Sequence, residues 1–210
     1  MNASGCAALV LAAGGSRRLG RPKQLLRWEG ITLLRRAAMA ALGSGASPVL
    51  CVLGHEAAAC GAEIADLPVH AVLHPGWQEG MASSLRAGLA ALADLAPAAT
   101  GLLVLPCDQP RVDAELLRRL LAAAAVPARP LVACRYGDAC GPPAIFPARC
   151  FTELERLTGD RGARAVRAAH AAELVVVDFP GGAEDVDRAE DLARLTIGAA
   201  GAAGADDEGA

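Results

Sequence analysis

The segment that decides the fold lies at the end of the first apolar run of the chain. It reads Leu11-Ala12-Ala13-Gly14-Gly15-Ser16-Arg17-Arg18-Leu19-Gly20-Arg21-Pro22-Lys23. Small residues let backbone N–H groups approach phosphate oxygens closely, and the basic side chains add positive charge beside them. The segment therefore predicts a loop that binds the phosphates of a nucleoside triphosphate.

Two better-known phosphate loops do not fit this segment. The Walker A pattern Gly-x-x-x-x-Gly-Lys-Ser/Thr is missing, because Lys23 follows the glycines on a longer arm that contains Pro22. The dinucleotide pattern Gly-x-Gly-x-x-Gly is missing too, since no glycine lies between Gly15 and Gly20. The remaining alternative is an ordinary strand-to-helix turn that happens to be basic.

The rest of the chain alternates apolar runs with helical patterns. The runs predict strands at Cys6–Ala13, Pro48–Leu53, Val69–Leu73, Leu102–Leu105, Leu131–Cys134 and Leu174–Phe179. Helices are predicted from the cap Thr32 through Leu42, from about Ser83 to about Leu95, and from the cap Asp113 over Ala114–Ala125. This alternation is typical of an α/β fold, a three-layer Rossmann-like sandwich with a mostly parallel central sheet.

Length and composition favour a single domain. The 210 residues suffice for one α/β domain, predicted over residues 1–197. Residues 198–210 contain only Gly, Ala and acidic residues, and we expect this tail to be disordered. The formal net charge is −3, and the tail acids Asp206, Asp207 and Glu208 account for it. The balanced charge of the remainder argues against nucleic acid as a partner.

The sequence favours a cytoplasmic location. No apolar stretch reaches the roughly 18 residues of a membrane span, and Met1–Gly5 has no basic segment of the kind that opens a secretory signal. The seven cysteines form no Cys-x-x-Cys pair and are expected to be reduced. A zinc site made of Cys134, Cys140 and Cys150 fits no common finger spacing. The four histidines are dispersed, and we expect surface or strand-end positions for them rather than metal binding.

One carboxylate stands out at the end of a predicted strand. Leu102–Leu105 continues into Pro106-Cys107-Asp108-Gln109-Pro110, so Asp108 lies between two prolines that fix the backbone. Ligands of parallel α/β sheets bind at the carboxyl ends of the strands, where the loop at Gly14 also emerges. Because Mg²⁺ requires oxygen ligands, Asp108 is a candidate ligand for Mg²⁺ or, alternatively, Mn²⁺. The simpler role, capping the next helix, already falls to Asp113.

A second acidic group comes late in the chain. It reads Glu184-Asp185-Val186-Asp187-Arg188-Ala189-Glu190-Asp191. Acids are common at the start of a helix because they complement its dipole, and this explains most of the group. Since Mg²⁺ usually takes one or two protein carboxylates, Asp185 or Asp187 is a candidate partner of Asp108.

Three further segments are candidate substrate contacts. Gly80–Leu89 places small residues and hydroxyls where a loop enters a helix, so its N–H groups either contact a base or ribose or simply begin a helix. Residues 141–146 and 159–164 are predicted to be loops that line the pocket of an acceptor. Either Arg161 or Arg164 could bind an anionic group of that acceptor.

In chain order these motifs resemble those of the MobA-like nucleotidyltransferases, and most closely the molybdenum cofactor cytidylyltransferases usually called MocA. The resemblance covers residues from about Ala7 to Leu195. It rests on six motifs: Leu-Ala-Ala-Gly…Arg-Leu-Gly…Lys from Leu11, Gly-Met-x-x-Ser-Leu from Gly80, Asp-Gln-Pro from Asp108, Gly-x-Pro-x-x-Phe from Gly141, Gly-Asp-x-Gly-Ala-Arg from Gly159 and Asp-Val-Asp-x-x-Glu-Asp-Leu from Asp185. The resemblance implies the fold of the nucleotide-diphospho-sugar transferases.

The resemblance implies transfer of CMP from CTP to the terminal phosphate of molybdopterin carrying molybdenum, with release of pyrophosphate. It implies that residues 14–18 bind the phosphates, that Lys23 acts on the α-phosphate, and that Asp108 and Asp187 hold the metal. In this reaction an acceptor oxygen attacks the α-phosphorus in line, so no covalent intermediate is expected. The protein contributes positioning and neutralises charge through Mg²⁺, Lys23 and Arg18.

The candidate residues fall into four roles. The catalytic candidates are Lys23, Arg18 and Asp108, and the metal candidates are Asp108 and Asp187. The nucleotide-binding candidates are Leu11, Ala12, Ala13, Gly14, Gly15, Ser16, Arg17, Arg18, Lys23, Gly80 and Ser84, and the acceptor-binding candidates are Gly141, Pro143, Arg161 and Arg164. The implied partners are CTP, a phosphorylated pterin and a protein that matures molybdoenzymes; nucleic acid and membrane are not expected.

Two positions depart from the family pattern, and related functions remain as alternatives. Leu19 replaces the usual Met, and Pro142 stands where His or Asn is usual, which removes a polar group from the acceptor side. A guanylyltransferase of the MobA type usually has Leu-Ala-Gly-Gly, and the methyl group of Ala13 would narrow the base pocket in favour of a pyrimidine.

Three other functions are weighed against these. A 2-C-methylerythritol 4-phosphate cytidylyltransferase has a similar Arg-Arg…Pro-Lys-Gln loop, but its long dimerising arm has no room between Tyr136 and Phe146. A maturation partner that binds nucleotide without turnover would not need the lysine and both carboxylates together. A nicotinamide-dependent oxidoreductase would need a glycine fingerprint that this chain lacks.

Overall fold

The computed structural model of the chain describes residues 5–16, 20–128, 130–183 and 191. The strands are β1 (Cys6–Ala12), β2 (Arg27–Trp28), β3 (Ile31–Thr32), β4 (Val49–Leu53), β5 (His70–Leu73), β6 (Gly101–Pro106), β7 (Val132–Tyr136), β8 (Ala139–Pro147) and β9 (Val175–Asp178). The α-helices are α1 (Leu33–Gly43), α2 (Ala57–Glu63), α3 (Met81–Leu95), α4 (Ala114–Ala124), α5 (Phe151–Glu155) and α6 (Arg164–Ala169). The predicted domain limit at residue 197, the tail 198–210, Arg17, Arg18 and Asp187 lie outside the described residues.

Seven strands form one sheet in the order β5-β4-β1-β6-β8-β7-β9, and β2 pairs with β3 as a separate hairpin. The neighbouring strands of the large sheet are parallel except at β8, which is antiparallel to both β6 and β7. All six predicted strands are present, with ends that agree within one or two residues. The predicted α/β fold with a mostly parallel sheet is confirmed.

The strand β8 contradicts one prediction. Residues 141–146 were expected to form a loop, but they lie inside β8, between β6 and β7. The segment becomes a strand because Ala144, Ile145 and Phe146 are buried; all three pair with β6, and Ala144 and Ile145 also pair with β7. Its two prolines are tolerated, since the register with β7 shifts between Ala133 and Cys134 and leaves residues 142–143 unpaired.

Alternating side chains of the sheet divide the core into two halves. Ala8 and Val10 of β1 pack with buried residues of α1, α2 and α4, on one face of the sheet. Ala7 and Leu9 pack with buried residues of α3, α5 and α6, on the other. Because successive strand residues point to opposite faces, both faces of the sheet need helices to cover them. The result is the predicted three-layer sandwich.

Capping residues fix the helix starts that were predicted from the sequence. The Thr32 hydroxyl accepts a hydrogen bond from the backbone N–H of Arg35 at 3.4 Å, and the Asp113 carboxylate accepts one from Leu116 at 2.8 Å. Helix α3 begins at Met81, two residues before the predicted start at Ser83.

No helix within the described ranges is long and apolar enough to cross a membrane. All seven cysteines are free thiols in this structure.

Candidate functional site

Two neighbouring strands place the candidate site. β1 and β6 are parallel and adjacent, and Leu11 of β1 lies opposite Pro106 of β6. The backbone N–H of Cys107 continues this pairing by donating to the Leu11 carbonyl at 3.3 Å. Because parallel strands end at the same edge, the loop after β1 and the carboxylate of Asp108 leave the sheet side by side.

The loop after β1 is held in shape by residues that return beneath it. The side-chain amide of Gln24 donates to the carbonyls of Ala12 at 2.9 Å and Gly14 at 2.6 Å. The Ser16 hydroxyl accepts a hydrogen bond from the backbone N–H of Lys23 at 2.9 Å. Gln24 is 1% exposed, so these bonds are shielded from water. The described part of the loop, residues 13–16, is thereby fixed before any ligand binds.

The Trp77 side chain leaves no room for a Cβ atom at two glycines of this edge, Gly15 and Gly54. A Cβ atom at Gly15 would lie 2.7 Å from the Trp77 ring, and one at Gly54 would lie 2.6 Å from Trp77. Neither position has room for a side chain, so packing against Trp77 alone requires glycine at both. Trp77 also contacts the His55 ring, with centroids 5.3 Å apart. Sequence reasoning missed Trp77, although its position shortly after a strand at the ligand-binding edge was a usable signal.

Lys23 and Asp108 meet at the centre of this edge. The Lys23 ammonium donates a hydrogen bond to Oδ2 of Asp108, and both side chains are largely shielded from solvent. Such charge-assisted bonds are stronger where water is partly excluded. The ammonium group shows that a cation can be held at this carboxylate. An oxygen donor of this kind fits a hard divalent metal ion such as Mg²⁺ or Mn²⁺.

The first of two cavities extends from this pair along the loop. Its volume is about 370 Å³. Predicted nucleotide-binding residues along it are Leu11, Ala12, Ala13, Gly14, Gly15, Lys23, Gly80 and Ser84. Ser16 is not among these lining residues, and its hydroxyl accepts a hydrogen bond from the backbone N–H of Lys23. Arg17 and Arg18 lie outside the described residues. We call this space the nucleotide cavity.

The second cavity, which we call the acceptor cavity, lies beside β8 and the start of α6. Its volume is about 720 Å³, and the predicted acceptor residues Gly141 and Arg164 line it. Pro143 does not: it is buried within β8, and Pro142 lines the cavity in its place. The structure therefore does not place Pro143 at the cavity, because its side chain is buried where the register of β8 with β7 shifts. The backbone of Arg161 forms part of a short 3-10 turn, Gly159–Arg161, and the structure describes only the backbone of this residue.

Two residues of the acceptor cavity were missed from the sequence. The Arg167 guanidinium donates to the Cys140 carbonyl at 2.7 Å, and burial lowers its pKa. Tyr136 covers Gly141 so closely that a Cβ atom there would overlap the Tyr136 hydroxyl. The helical spacing from Arg164 to Arg167 was a signal for a second arginine on the same face. Gly141 thus has a packing reason to be glycine that needs no ligand.

The two cavities share a wall. Leu11, Met81, Pro106, Asp108 and Asp160 line both of them. Two carboxylates therefore stand at the junction, with an ammonium group on one side and two guanidinium groups on the other. This arrangement can hold a phosphate chain in one cavity and an anionic molecule in the other, with their reacting ends near Asp108.

Comparison with known proteins identifies relatives of the whole fold. The model of the MobA-like NTP transferase domain matches residues 8–174. A relative from Pseudomonas paraeruginosa (strain DSM 24068 / PA7), named molybdenum cofactor guanylyltransferase, is 36% identical over 183 residues, which cover 82% of this chain and 86% of that protein. A relative from Paenarthrobacter nicotinovorans, named nicotine blue oxidoreductase, is 33% identical over 200 residues, which cover 89% and 94%.

Solved structures are also similar to this chain over most of its length. The crystal structure of Rv0371c from Mycobacterium tuberculosis H37Rv superimposes with a TM-score of 0.78 at 36% identity, covering 90% of this chain and 96% of that one. A structure of Rv0371c in complex with manganese gives a TM-score of 0.74 at 33% identity, with the same coverage.

Proposed function

The chain belongs to the MobA-like NTP transferase family and is an enzyme of the nucleotidyltransferase type, and on that premise we propose that it is a cytidylyltransferase. It transfers CMP from CTP to the phosphate of a phosphorylated pterin, the molybdopterin that carries molybdenum, and releases pyrophosphate. The observation that carries this proposal is the Lys23–Asp108 pair at the junction of two cavities. One cavity then takes the nucleotide and the other the acceptor.

The nucleotide cavity supplies positioning and charge. Residues 13–15 bring backbone N–H groups close to the triphosphate, and Lys23 turns from Asp108 to the α-phosphate as the nucleotide enters. The positive charge of Lys23 offsets the negative charge that grows on the phosphate oxygens in the transition state. Arg18 is proposed to share this task. An acceptor oxygen attacks the phosphorus directly, so no side chain needs to act as a nucleophile.

Asp108 is proposed to hold a divalent metal ion. The donor is a carboxylate oxygen that already binds a cation, the Lys23 ammonium. A relative with the same fold has been crystallised in complex with manganese. Bound there, the ion would neutralise phosphate charge. Asp187 is proposed as a second ligand, and Asp160 is a described carboxylate at the same junction.

The acceptor cavity is proposed to bind the pterin phosphate through arginines. Arg164 and Arg167 line it, and guanidinium groups are well suited to bind phosphate through paired hydrogen bonds. The flat pterin ring would lie against the apolar residues of β8, such as Ala144 and Phe146. A protein that matures molybdoenzymes is proposed to receive the product. The seven free thiols support a reducing compartment such as the cytoplasm.

The choice of CTP over GTP is proposed from Ala13. It lines the nucleotide cavity, and an alanine leaves less room there for a base than the glycine that is usual in guanylyltransferases. A GTP-dependent reaction is the nearest alternative, because a relative at 36% identity is named a guanylyltransferase.

A pyrophosphate-release assay tests the proposal. The purified chain is incubated with Mg²⁺ or Mn²⁺, CTP or GTP, and molybdenum-loaded molybdopterin. We expect acceptor-dependent pyrophosphate release and a CMP-linked pterin by mass spectrometry. If pyrophosphate is released with GTP but not with CTP, the chain belongs with the guanylyltransferases. If the chain binds nucleotide but releases no pyrophosphate, it acts as a binding partner.

An oxidoreductase activity is a second candidate. The relative named nicotine blue oxidoreductase, at 33% identity, favours it. The absence of Gly-x-Gly-x-x-Gly after β1 argues against a nicotinamide site at this edge. The test is whether the same preparation oxidises NADH or NADPH in the presence of a redox dye. Such oxidation, together with no pyrophosphate release in the first assay, would favour this candidate over nucleotidyl transfer.

A further inference from the structure

A second group of chemically active side chains lies outside the cleft. Cys150 is the residue before α5, Glu153 lies in its first turn, and His170 follows the end of α6. One sulfur, one carboxylate oxygen and one ring nitrogen of these residues lie within 4.8 Å of one another. In the described part of the chain no other group of three or more such side chains meets this distance. None of the three residues lines the nucleotide or the acceptor cavity.

The histidine is held on both sides by carboxylates. His170 Nε2 lies 2.9 Å from Glu153, and Nδ1 lies 2.6 Å from Oε1 of Glu173. The other oxygen of Glu173 accepts a hydrogen bond from Arg149 at 3.0 Å. When Nε2 gives up the proton that it shares with Glu153 and Nδ1 keeps its bond to Glu173, the lone pair of Nε2 faces Glu153 and Cys150. Metal-binding histidines are commonly oriented in this way, by a carboxylate that accepts from their other nitrogen.

The donors suit a metal ion of a different kind from the one at Asp108. Sulfur and imidazole nitrogen favour zinc over magnesium, which prefers oxygen alone. The thiolate of Cys150 and the carboxylate of Glu153 together balance the two positive charges of the ion. Cys150 is buried, whereas His170 and Glu153 have partly exposed side chains, 20% and 42%, and an ion with its water ligand would reach the site from their side.

We propose that Cys150, Glu153 and His170 form a binding site for a zinc ion, with water as the fourth ligand. On binding, the Cys150 thiol loses its proton to solvent and the sulfur bonds to the metal. His170 Nε2 releases to solvent the proton that it shares with Glu153 and bonds to the metal, while Nδ1 keeps its proton and its bond to Glu173. The expectation from the sequence that no histidine binds a metal is revised for His170.

The position of this zinc site gives it a structural task. The chain between Cys150 and His170 leaves through α5 and returns through α6, and it carries Asp160, Arg164 and Arg167 of the acceptor cavity. A zinc ion that joins the start of α5 to the end of α6 ties the two ends of this segment together. It therefore stabilises the segment that lines the acceptor cavity without contacting a substrate.

Cobalt binding tests the proposal directly. Chelator-treated full-length protein is titrated with Co²⁺, because a cobalt–thiolate bond gives a charge-transfer absorption that a carboxylate site such as Asp108 cannot give. We expect one equivalent of Co²⁺ to produce this band and one equivalent of Zn²⁺ to remove it. Cys150→Ser and His170→Gln should abolish the band, and Glu173→Gln should weaken zinc binding by about 10–100-fold.

Two matched variants serve as controls. Cys60→Ser removes a buried thiol elsewhere, and Glu155→Gln removes an exposed carboxylate of the same helix; both should keep the band. If Cys150→Ser does not fold by circular dichroism, His170→Gln and Glu173→Gln decide the matter. The proposal is overturned if the native protein gives no thiolate band, or if the band survives His170→Gln or Cys150→Ser. Neither outcome depends on which nucleotide the enzyme uses.

Discussion

The two halves of the cleft are built in different ways. The nucleotide cavity takes one wall from a single continuous segment, residues 11–15, at the end of β1 and the start of the loop that follows it. The acceptor cavity takes its wall from several separate elements, namely β7, β8, the turn at Gly159–Arg161 and α6, together with residues of β1, α3 and β6. Backbone recognition of phosphate needs a local run of small residues, whereas recognition by side chains can draw on any element that the fold brings near.

The positively charged side chains of the two halves are also held by different partners. In the nucleotide cavity the described cation is Lys23, which contacts Asp108 and must leave it to act on a phosphate. In the acceptor cavity the Arg167 guanidinium is oriented by its hydrogen bond to the backbone carbonyl of Cys140 in β8. We therefore expect changes in the nucleotide half to affect mainly the rate, and changes in the acceptor half to affect mainly binding.

The largest expected effect is that of Asp108→Asn. The substitution keeps the shape but removes the charge that holds the metal ion, so kcat should fall by roughly 10²–10³-fold. Steady-state pyrophosphate release measures this. Asp113→Asn is the matched control, because Asn also caps a helix and activity should be retained. Near-normal kcat in Asp108→Asn with Mg²⁺ or Mn²⁺ present would remove Asp108 from the metal site.

Lys23→Ala tests the other half of the pair. Lys23 is the only lysine of the sequence, and its loss should lower kcat by roughly 10²-fold because no other ammonium group can replace it at the α-phosphate. Circular dichroism should show an unchanged fold. An amine-reactive reagent gives a second measurement, since its attachment to Lys23 in the native protein should slow when CTP is added. If labelling proceeds at the same rate with saturating CTP, Lys23 does not contact the nucleotide.

Gly80→Ala should damage both halves at once. Gly80 has φ +105°, and a Cβ atom there would lie 2.5 Å from Asp160 Oδ1 and 2.9 Å from the backbone of Gly159. We expect the free energy of unfolding to fall by about 1–3 kcal/mol, measured by denaturant titration. Gly76→Ala is the control, because its closest contact is the end of the Glu79 side chain at 3.2 Å. Equal stability of the two variants would contradict the close packing of Gly80 against residues 159–160.

Arg164→Ala should separate the two halves. We expect the KM for the acceptor to rise by about tenfold while the KM for CTP stays nearly constant, because a binding residue acts on the substrate that it touches. The double variant Arg161→Ala with Arg164→Ala should raise the acceptor KM further. Arg156→Ala, an exposed arginine outside both cavities, should change neither value. An equal rise in both KM values would show that the cleft is not divided as proposed.

The smallest expected effect concerns the choice of base. Ala13→Gly removes one methyl group from the nucleotide cavity, and a single small group is worth at most about 1–3 kcal/mol of discrimination. We expect the ratio of kcat/KM for CTP over GTP to fall by several-fold, without a full reversal. Parallel measurements with both nucleotides give the ratio. An unchanged ratio would mean that the base is selected by other residues.

Much of the fold could be predicted from the sequence. Buried parallel strands are short and apolar on both faces, so β1, β4 and β6 appear as distinct runs, and caps such as Thr32 and Asp113 mark the helices. The loop after β1 and Asp108 were found because both belong to short local patterns. The strand β8 was taken for a loop, since its prolines predict a turn and its neighbours β6 and β7 become visible only in the sheet.

The sequence by itself determined the fold class, the loop after β1 and the position of Asp108 after β6, because each depends on residues that are close together in the chain. Only the tertiary structure decided which residues form the acceptor cavity, that Pro143 is buried while Pro142 is not, and that Trp77 requires glycine at Gly15. It alone brought Cys150 and His170 together. The physical reason is that packing and side-chain contacts between distant elements depend on strand order and helix position, which no local pattern of residues encodes.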